Sequence, residues 1–222
     1  MKLALTAGGA RELPEKAAKG DEMDSFLEEL AQPRPEPGGG AAAAYGARLG
    51  LALLEKVVQL EANRRLKPPI ESSLTWEEAL SRLRQLAAVL GKLQEDDVEA
   101  YSQLATARAS GGDLAAAVHR ALEPPRQIVR QTGEALELLA LAGGRCQLHL
   151  VSDLLVAGEF LGAALAGAYH IVCANLRLIT PEETRKALKL EFCQDYQKGE
   201  KLLHLVKAAL VARENGFARC GR

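Results

Sequence analysis

Aromatic residues make up only 4% of this chain, so its core has to be filled by small and aliphatic side chains. Val and Ile are sparse too. The Val/Ile-rich runs that buried strands require are missing, which excludes a Rossmann or other α/β arrangement. Neither sign of charge is in excess: 28 Lys and Arg stand against 29 Asp and Glu, a formal net charge of -1. No nucleic-acid or polybasic membrane partner is expected from that balance. The four cysteines, Cys146, Cys173, Cys193 and Cys220, include no CxxC pair. A chain of 222 residues has no need of disulfide staples, and a reduced, cytoplasmic protein is expected. Met1 to Ala10 lacks a signal-peptide core. Charges interrupt the strongest candidates for a membrane span, so a soluble helical core is the better account of the Ala/Leu runs.

What is present is Ala and Leu, the leaders of the helix scale. The pattern predicts an all-α protein, an antiparallel bundle of about five long helices plus short ones. Residues 1–23 read as a tail or linker, 24–216 as one helical domain, and 217–222 as a C-terminal tail. Asp24 is placed as the N-cap of a short helix, Ser25 to Leu30. A run from Ala41 to about Leu66 carries Leu49, Leu53, Val57 and Leu60 on one face and stops at Lys67-Pro68-Pro69. Thr75 and Glu78 have capping-box spacing and open a helix that ends at Ser110-Gly111-Gly112. Asp113 caps a short helix, and Pro124-Pro125 is read as the start of another, running to about Ala142. Ser152 is read as the cap of a fifth element reaching Ile179. There Gly158, Gly162 and Gly167 suggest close helix contact, and they leave room for a tight dimer. The last helix follows Pro181 and fades near Gly216.

The most unusual stretch is Pro33-Arg34-Pro35-Glu36-Pro37-Gly38-Gly39-Gly40. Alternating prolines stiffen the chain, and the glycines let backbone approach something closely. Their N–H groups, at a helix start, can hold an anion or carboxylate; a sharp loop-to-helix turn is the alternative. The pattern is not a P-loop. Glu95, Asp96 and Asp97 offer a base or cation stabiliser if one of them is buried, and otherwise a solvated face. Asp153, after Ser152, is either a site carboxylate or a favourable first-turn charge. His170 and Cys173 are three apart, but two side chains make no metal site, and no HExxH supports one. Cys173 reads as a small core residue. Asn175 needs a partner if buried, either a ligand or another helix. Arg34, Arg48, Arg64, Arg65 and Arg177 are further candidates for an acidic ligand.

Phe26-Leu27-Glu28-Glu29-Leu30-Ala31 followed by Pro33-x-Pro35-x-Pro37-Gly38-Gly39-Gly40 resembles the opening of the cyclodeaminase/cyclohydrolase family. This group includes the cyclodeaminase part of formiminotransferase-cyclodeaminase and stand-alone methenyltetrahydrofolate cyclohydrolase. The resemblance continues in order through Asp97-Val98-Glu99-Ala100-Tyr101, Pro125, Val151-Ser152-Asp153, Gly167-Ala168 and Asn175-Leu176. It implies an all-helical homodimer that binds a tetrahydrofolate derivative between subunits and requires no metal or other cofactor. Pro37, Gly38, Gly39, Gly40, Ala41, His170 and Asn175 would shape the folate site. Asp97 and Asp153 would be the catalytic carboxylates, converging across an accessible pocket. The implied reaction is addition of water to the 5,10-methenyl carbon to give 10-formyltetrahydrofolate. The alternatives are formiminotetrahydrofolate cyclodeamination, or a divergent homodimer that binds a folate or another small acid without turnover.

Three positions depart from the family pattern. Ala41 stands where Ser usually follows the glycines. Ile171 replaces the first Asn of Asn-Val-x-x-Asn-Leu. The Gly-Asn segment before Ser-Asp is altered to Gly144-Arg145-Cys146-Gln147-Leu148-His149. Each loses hydrogen-bonding capacity, for which His149 or His170 would be the replacement.

Overall fold

The computed structural model describes residues 25–64 and 74–220, with side chains described as far as residue 216. Asp24 as a cap, the tail before it, Arg65 and the Lys67-Pro68-Pro69 stop lie outside the described residues. The chain divides into two units, Met1–Pro35 and Glu36–Arg222. The described part of the first is a short helix, α1 (25–30). It is closed by the Ala31 N–H on the Leu27 carbonyl at 3.1 Å, with Arg34 paired to Glu29 at 3.5 Å.

The second unit holds five long helices among the described residues: α2 (Gly39–Ala62), α3 (Trp76–Ser110), α4 (Leu114–Arg145), α5 (Val151–Leu176) and α6 (Glu182–Cys220). A 3-10 turn, Leu148–Leu150, leads into α5. The expected all-α bundle is therefore present, with different boundaries. α2 starts inside the glycine run and ends at Ala62, not Leu66. α3 has the full capping box: the Thr75 hydroxyl accepts from the Glu78 N–H at 3.1 Å, and Glu78 accepts from the Thr75 N–H at 2.8 Å. Gly111, at φ 70°, closes it in the left-handed conformation that glycine adopts without a Cβ penalty.

Three expectations are corrected. Pro124-Pro125 does not begin a helix, because Asp113 caps one continuous helix that runs through both prolines to Arg145. Ser152 does not cap α5; it lies in the first turn, and the cap position is Leu150. α6 continues to Cys220 instead of fading near Gly216.

Contacts along the helices set their directions. Gly39 lies against Ile171 and Gly50 against Ala157, so α2 and α5 are antiparallel. Arg48 meets Gln94 and Arg84 meets Glu55, which makes α2 and α3 antiparallel. Ion pairs from Arg130 to Asp195 and from Lys198 to Glu137 run α4 parallel to α6. α5 is in contact with α2, α4 and α6, and α4 with all four of the other long helices. Leu51, Leu54, Leu90, Leu136, Leu139, Leu161 and Leu165 fill the space between, each contributing about 1.5–3 kcal/mol by burial. The close contact expected of the α5 glycines is met at Gly162, where a Cβ would come within 2.6 Å of Leu203.

α5 with its leading turn is also long and apolar enough, by composition, to cross a membrane, with mean hydropathy 1.6. Here its inward side is core.

Candidate functional site

Gly38 is the extended N-cap of α2, and Gly39 and Gly40 form its first turn with no side-chain cap. The first turn of any helix leaves backbone N–H groups without intrahelical partners. Asp97, from the middle of α3, reaches this end. The Ala41 N–H donates to its carboxylate. A Cβ on Gly40 would overlap that carboxyl group, so only glycine admits the contact.

Burial pushes the Asp97 carboxyl up from 3.8 to about 6, and the Ala41 hydrogen bond only partly offsets it. Apolar groups gather at the same glycine turn. Ala41 is fully buried and brings a methyl where the family pattern has a hydroxyl. Ile171 presses its Cδ1 to within 3.0 Å of where a Gly39 Cβ would stand. Two of the three departures from the family pattern thus meet at the glycine turn beside Asp97. The result is an acid near neutrality in apolar surroundings, held against a helix N-terminus.

The neighbouring carboxylates behave differently. Asp96 and Glu95 pair with Lys92 at 3.0 and 3.4 Å on the surface. The acidic step therefore contains both things the sequence allows: a solvated face and one inward-reaching acid.

Asp153 is elsewhere. It accepts from Lys56 Nζ at 2.8 Å, near the far end of α2. Asp97 is at residue 40 of that helix and Asp153 at residue 56, which at 1.5 Å per residue is roughly 24 Å apart. Within one chain the two carboxylates do not converge. The altered segment before Asp153 also serves the far end. The Gln147 N–H donates to buried Glu61 at 2.7 Å, and Arg64 pairs with the same carboxylate at 2.7 Å. Arg145 stacks over Trp76 at 4.3 Å, and Arg213 donates to the carbonyls of Gly143 and Cys146.

Of the other candidates, Pro37 and Gly38 are half-buried, while Gly39 is exposed at the turn. His170 is exposed on α5, one residue before Ile171, and His149 is exposed on the far 3-10 turn. Arg48 donates to Gln94 at 2.9 Å. Asn175 Nδ2 donates to the Ala121 carbonyl at 2.8 Å. That carbonyl would have accepted from residue 125, where proline has no N–H. The amide thus has a structural partner that helical spacing alone did not reveal. Among the described residues there is no group of three or more potential metal ligands.

Comparison with known proteins points the same way as the glycine turn. A profile described as Formiminotransferase-cyclodeaminase matches residues 22–194. The chain is 30% identical over 216 residues to the formimidoyltransferase-cyclodeaminase of Rattus norvegicus, covering 90% of this chain and 39% of that protein. It thus spans about two fifths of the rat relative. It is 27% identical over 161 residues to the methenyltetrahydrofolate cyclohydrolase of Methylorubrum extorquens, covering 68% of this chain and 75% of the relative. In fold it is similar to the crystal structure of formiminotetrahydrofolate cyclodeaminase from Thermotoga maritima: TM-score 0.77, 22% identity, and coverage of 88% of this chain and 96% of that one. Taken with the ordered motifs and the helical bundle that carries them, the match across residues 22–194 shows that this chain belongs to the formiminotransferase-cyclodeaminase family.

Proposed function

We propose that this protein closes a one-carbon unit between N5 and N10 of a tetrahydrofolate, releasing ammonia from the 5-formimino group. The observation that carries this reading is Asp97, a carboxyl raised to about 6 against the N-terminus of α2. In that reaction N10 attacks the formimino carbon. The N10 proton passes to the formimino nitrogen as the new C–N bond forms. Asp97 supplies the second proton, so the nitrogen leaves as ammonia. The carboxylate left behind then faces the 5,10-methenyl cation and stabilises it. The rat relative, matched over 90% of this chain, and the similar solved structure carry cyclodeaminase names, which favours deamination.

Water addition to the 5,10-methenyl carbon is the second reading. It passes through the same tetrahedral carbon, with Asp97 protonating N5, and the cyclohydrolase relative supports it.

The working unit in this proposal is a cytoplasmic homodimer. The outward sides of α2 and α5 expose Ala52, Leu60, Val156, Phe160 and Ala163. α5 is more apolar than one chain's core uses: only 44% of its most apolar window is buried. A two-fold axis across the middle of this face reverses α2 in the second copy. It would set Asp97 of one subunit towards Asp153 of the partner subunit, at either end of a shared cleft.

The test is to incubate purified protein separately with 5-formiminotetrahydrofolate and 5,10-methenyltetrahydrofolate and to follow the methenyl chromophore. Chromophore growth from the first substrate is expected, falling ~100-fold or more in a folded Asp97→Asn variant. Loss of chromophore from the second substrate alone would move the assignment to the hydrolase. No acceleration with either would sink the enzymatic reading, and tight binding without turnover would mark a folate-binding scaffold.

A further inference from the structure

α5 and α6 form an antiparallel pair whose register can be read from three successive contacts. Gly162 meets Leu203, Leu165 meets Gly199, and Tyr169 stacks on Tyr196 with ring centroids 4.3 Å apart. One turn further, the same register sets Cys173 of α5 opposite Cys193 of α6. Both thiols are free and partly exposed, and both are near enough to the Tyr169 hydroxyl to raise its pKa. Cys173 is therefore not the small core residue its sequence setting suggests. It lines a cleft of about 340 Å³ together with Arg177, Arg185, Lys186, Lys189 and Glu182, a surrounding with four cations to one anion.

We propose that Cys173 and Cys193 form a peroxide-sensitive dithiol that closes to a disulfide tying α5 to α6. The cleft gives peroxide a path to the Cys173 sulfur. Burial and the two neighbouring thiols push the Tyr169 hydroxyl well above its ordinary value, so it stays protonated and can donate to a thiolate. The Cys173 thiolate attacks one oxygen of hydrogen peroxide. The O–O bond breaks, giving a sulfenic acid and hydroxide, which is protonated to water. The Cys193 thiolate then attacks the sulfenic sulfur. The S–S bond forms, the S–O bond breaks, and a second water leaves. The two thiols lose two electrons and two protons in all, and peroxide is reduced to two waters.

The test uses the reduced full-length chain with its four thiols. The protein is treated with hydrogen peroxide, quenched with a maleimide and digested without reductant for mass spectrometry. The expected result is loss of two alkylatable thiols and a linked peptide pair containing Cys173 and Cys193, both reversed by dithiothreitol. Cys173 should be alkylated roughly tenfold or more faster than buried Cys146, following access to the sulfur. In Cys193→Ser the sulfenic acid on Cys173 should persist and be trapped by dimedone. Links to Cys146, to Cys220 or to a second chain in place of this pair would overturn the proposal. So would a folded wild-type protein in which both thiols stay alkylatable after peroxide; these readouts do not depend on the variant's folding.

Discussion

Asp97 departs furthest from ordinary carboxylate behaviour, and its effect on stability has a definite sign. Its folded value is about 6 and its reference value 3.8. Between the two, the folded chain holds a proton that the unfolded chain has lost. The contribution to stability is therefore complete below 3.8 and declines as pH rises through 6. Asp97→Asn keeps an acceptor for the Ala41 N–H and removes the buried charge. It should raise the melting temperature by about 2–4 °C at about pH 7.5, near 1 kcal/mol for a chain this size, with the gain shrinking towards about pH 5. Differential scanning fluorimetry at both values checks this; an equal shift at both would remove the buried carboxylate as its cause. A variant more stable yet inactive is the pattern of a site kept at a stability cost. Adjacent Glu95, Asp96 and Asp97 have no distinguishing spacing in the sequence, because a one-residue step on a helix changes the direction faced by about 100°. The family resemblance pointed to Asp97, but the Gly40 contact that admits its carboxylate depends on tertiary register.

At the scale of the element, local chemistry was readable where it acts locally. The Thr75–Glu78 box and the Asp113 cap are side chains satisfying backbone groups within four residues, and the Gly111 stop is a backbone N–H returning to the Ala107 carbonyl, all of which spacing reveals. Pro124-Pro125 misled because the relief comes from another helix. A proline pair inside a helix leaves carbonyls without donors, and Asn175, from α5, serves the one on Ala121. Asn175→Ala should cost about 1–3 kcal/mol, the penalty of leaving a buried carbonyl unpaired. Pro125→Ala restores an N–H at the right place, so the double variant should lose much less than Asn175→Ala alone. Urea titration of the four-member cycle measures the coupling. Additive losses would show that the amide is not replacing the missing donor.

For the whole molecule, composition was enough to predict an all-helical bundle, since Ala/Leu periodicity without strand runs leaves few architectures. Composition could not place Asp153 relative to Asp97, because the antiparallel pairing of α2 and α5 decides that. The separation of the two acids makes the dimer the decisive test of the composite cleft. Ala163→Glu puts a charge on the outward face of α5 without touching either carboxylate. Light scattering should show a dimer for the wild type and a monomer for the variant, with turnover falling at least tenfold in step. A fully active monomer would refute the shared cleft.

The pairing of α2 with α5 also bears on how the chain is assembled. Helices that follow one another in sequence can dock as they form, with only short loops to close. The seam between Gly39 and Ile171 joins partners separated by two long helices. It closes only when a large part of the chain has been gathered. The Ile171 side of the glycine turn is therefore expected to close late in folding, after the contact of Asp97 with Gly40, which joins the consecutive helices α2 and α3, has formed.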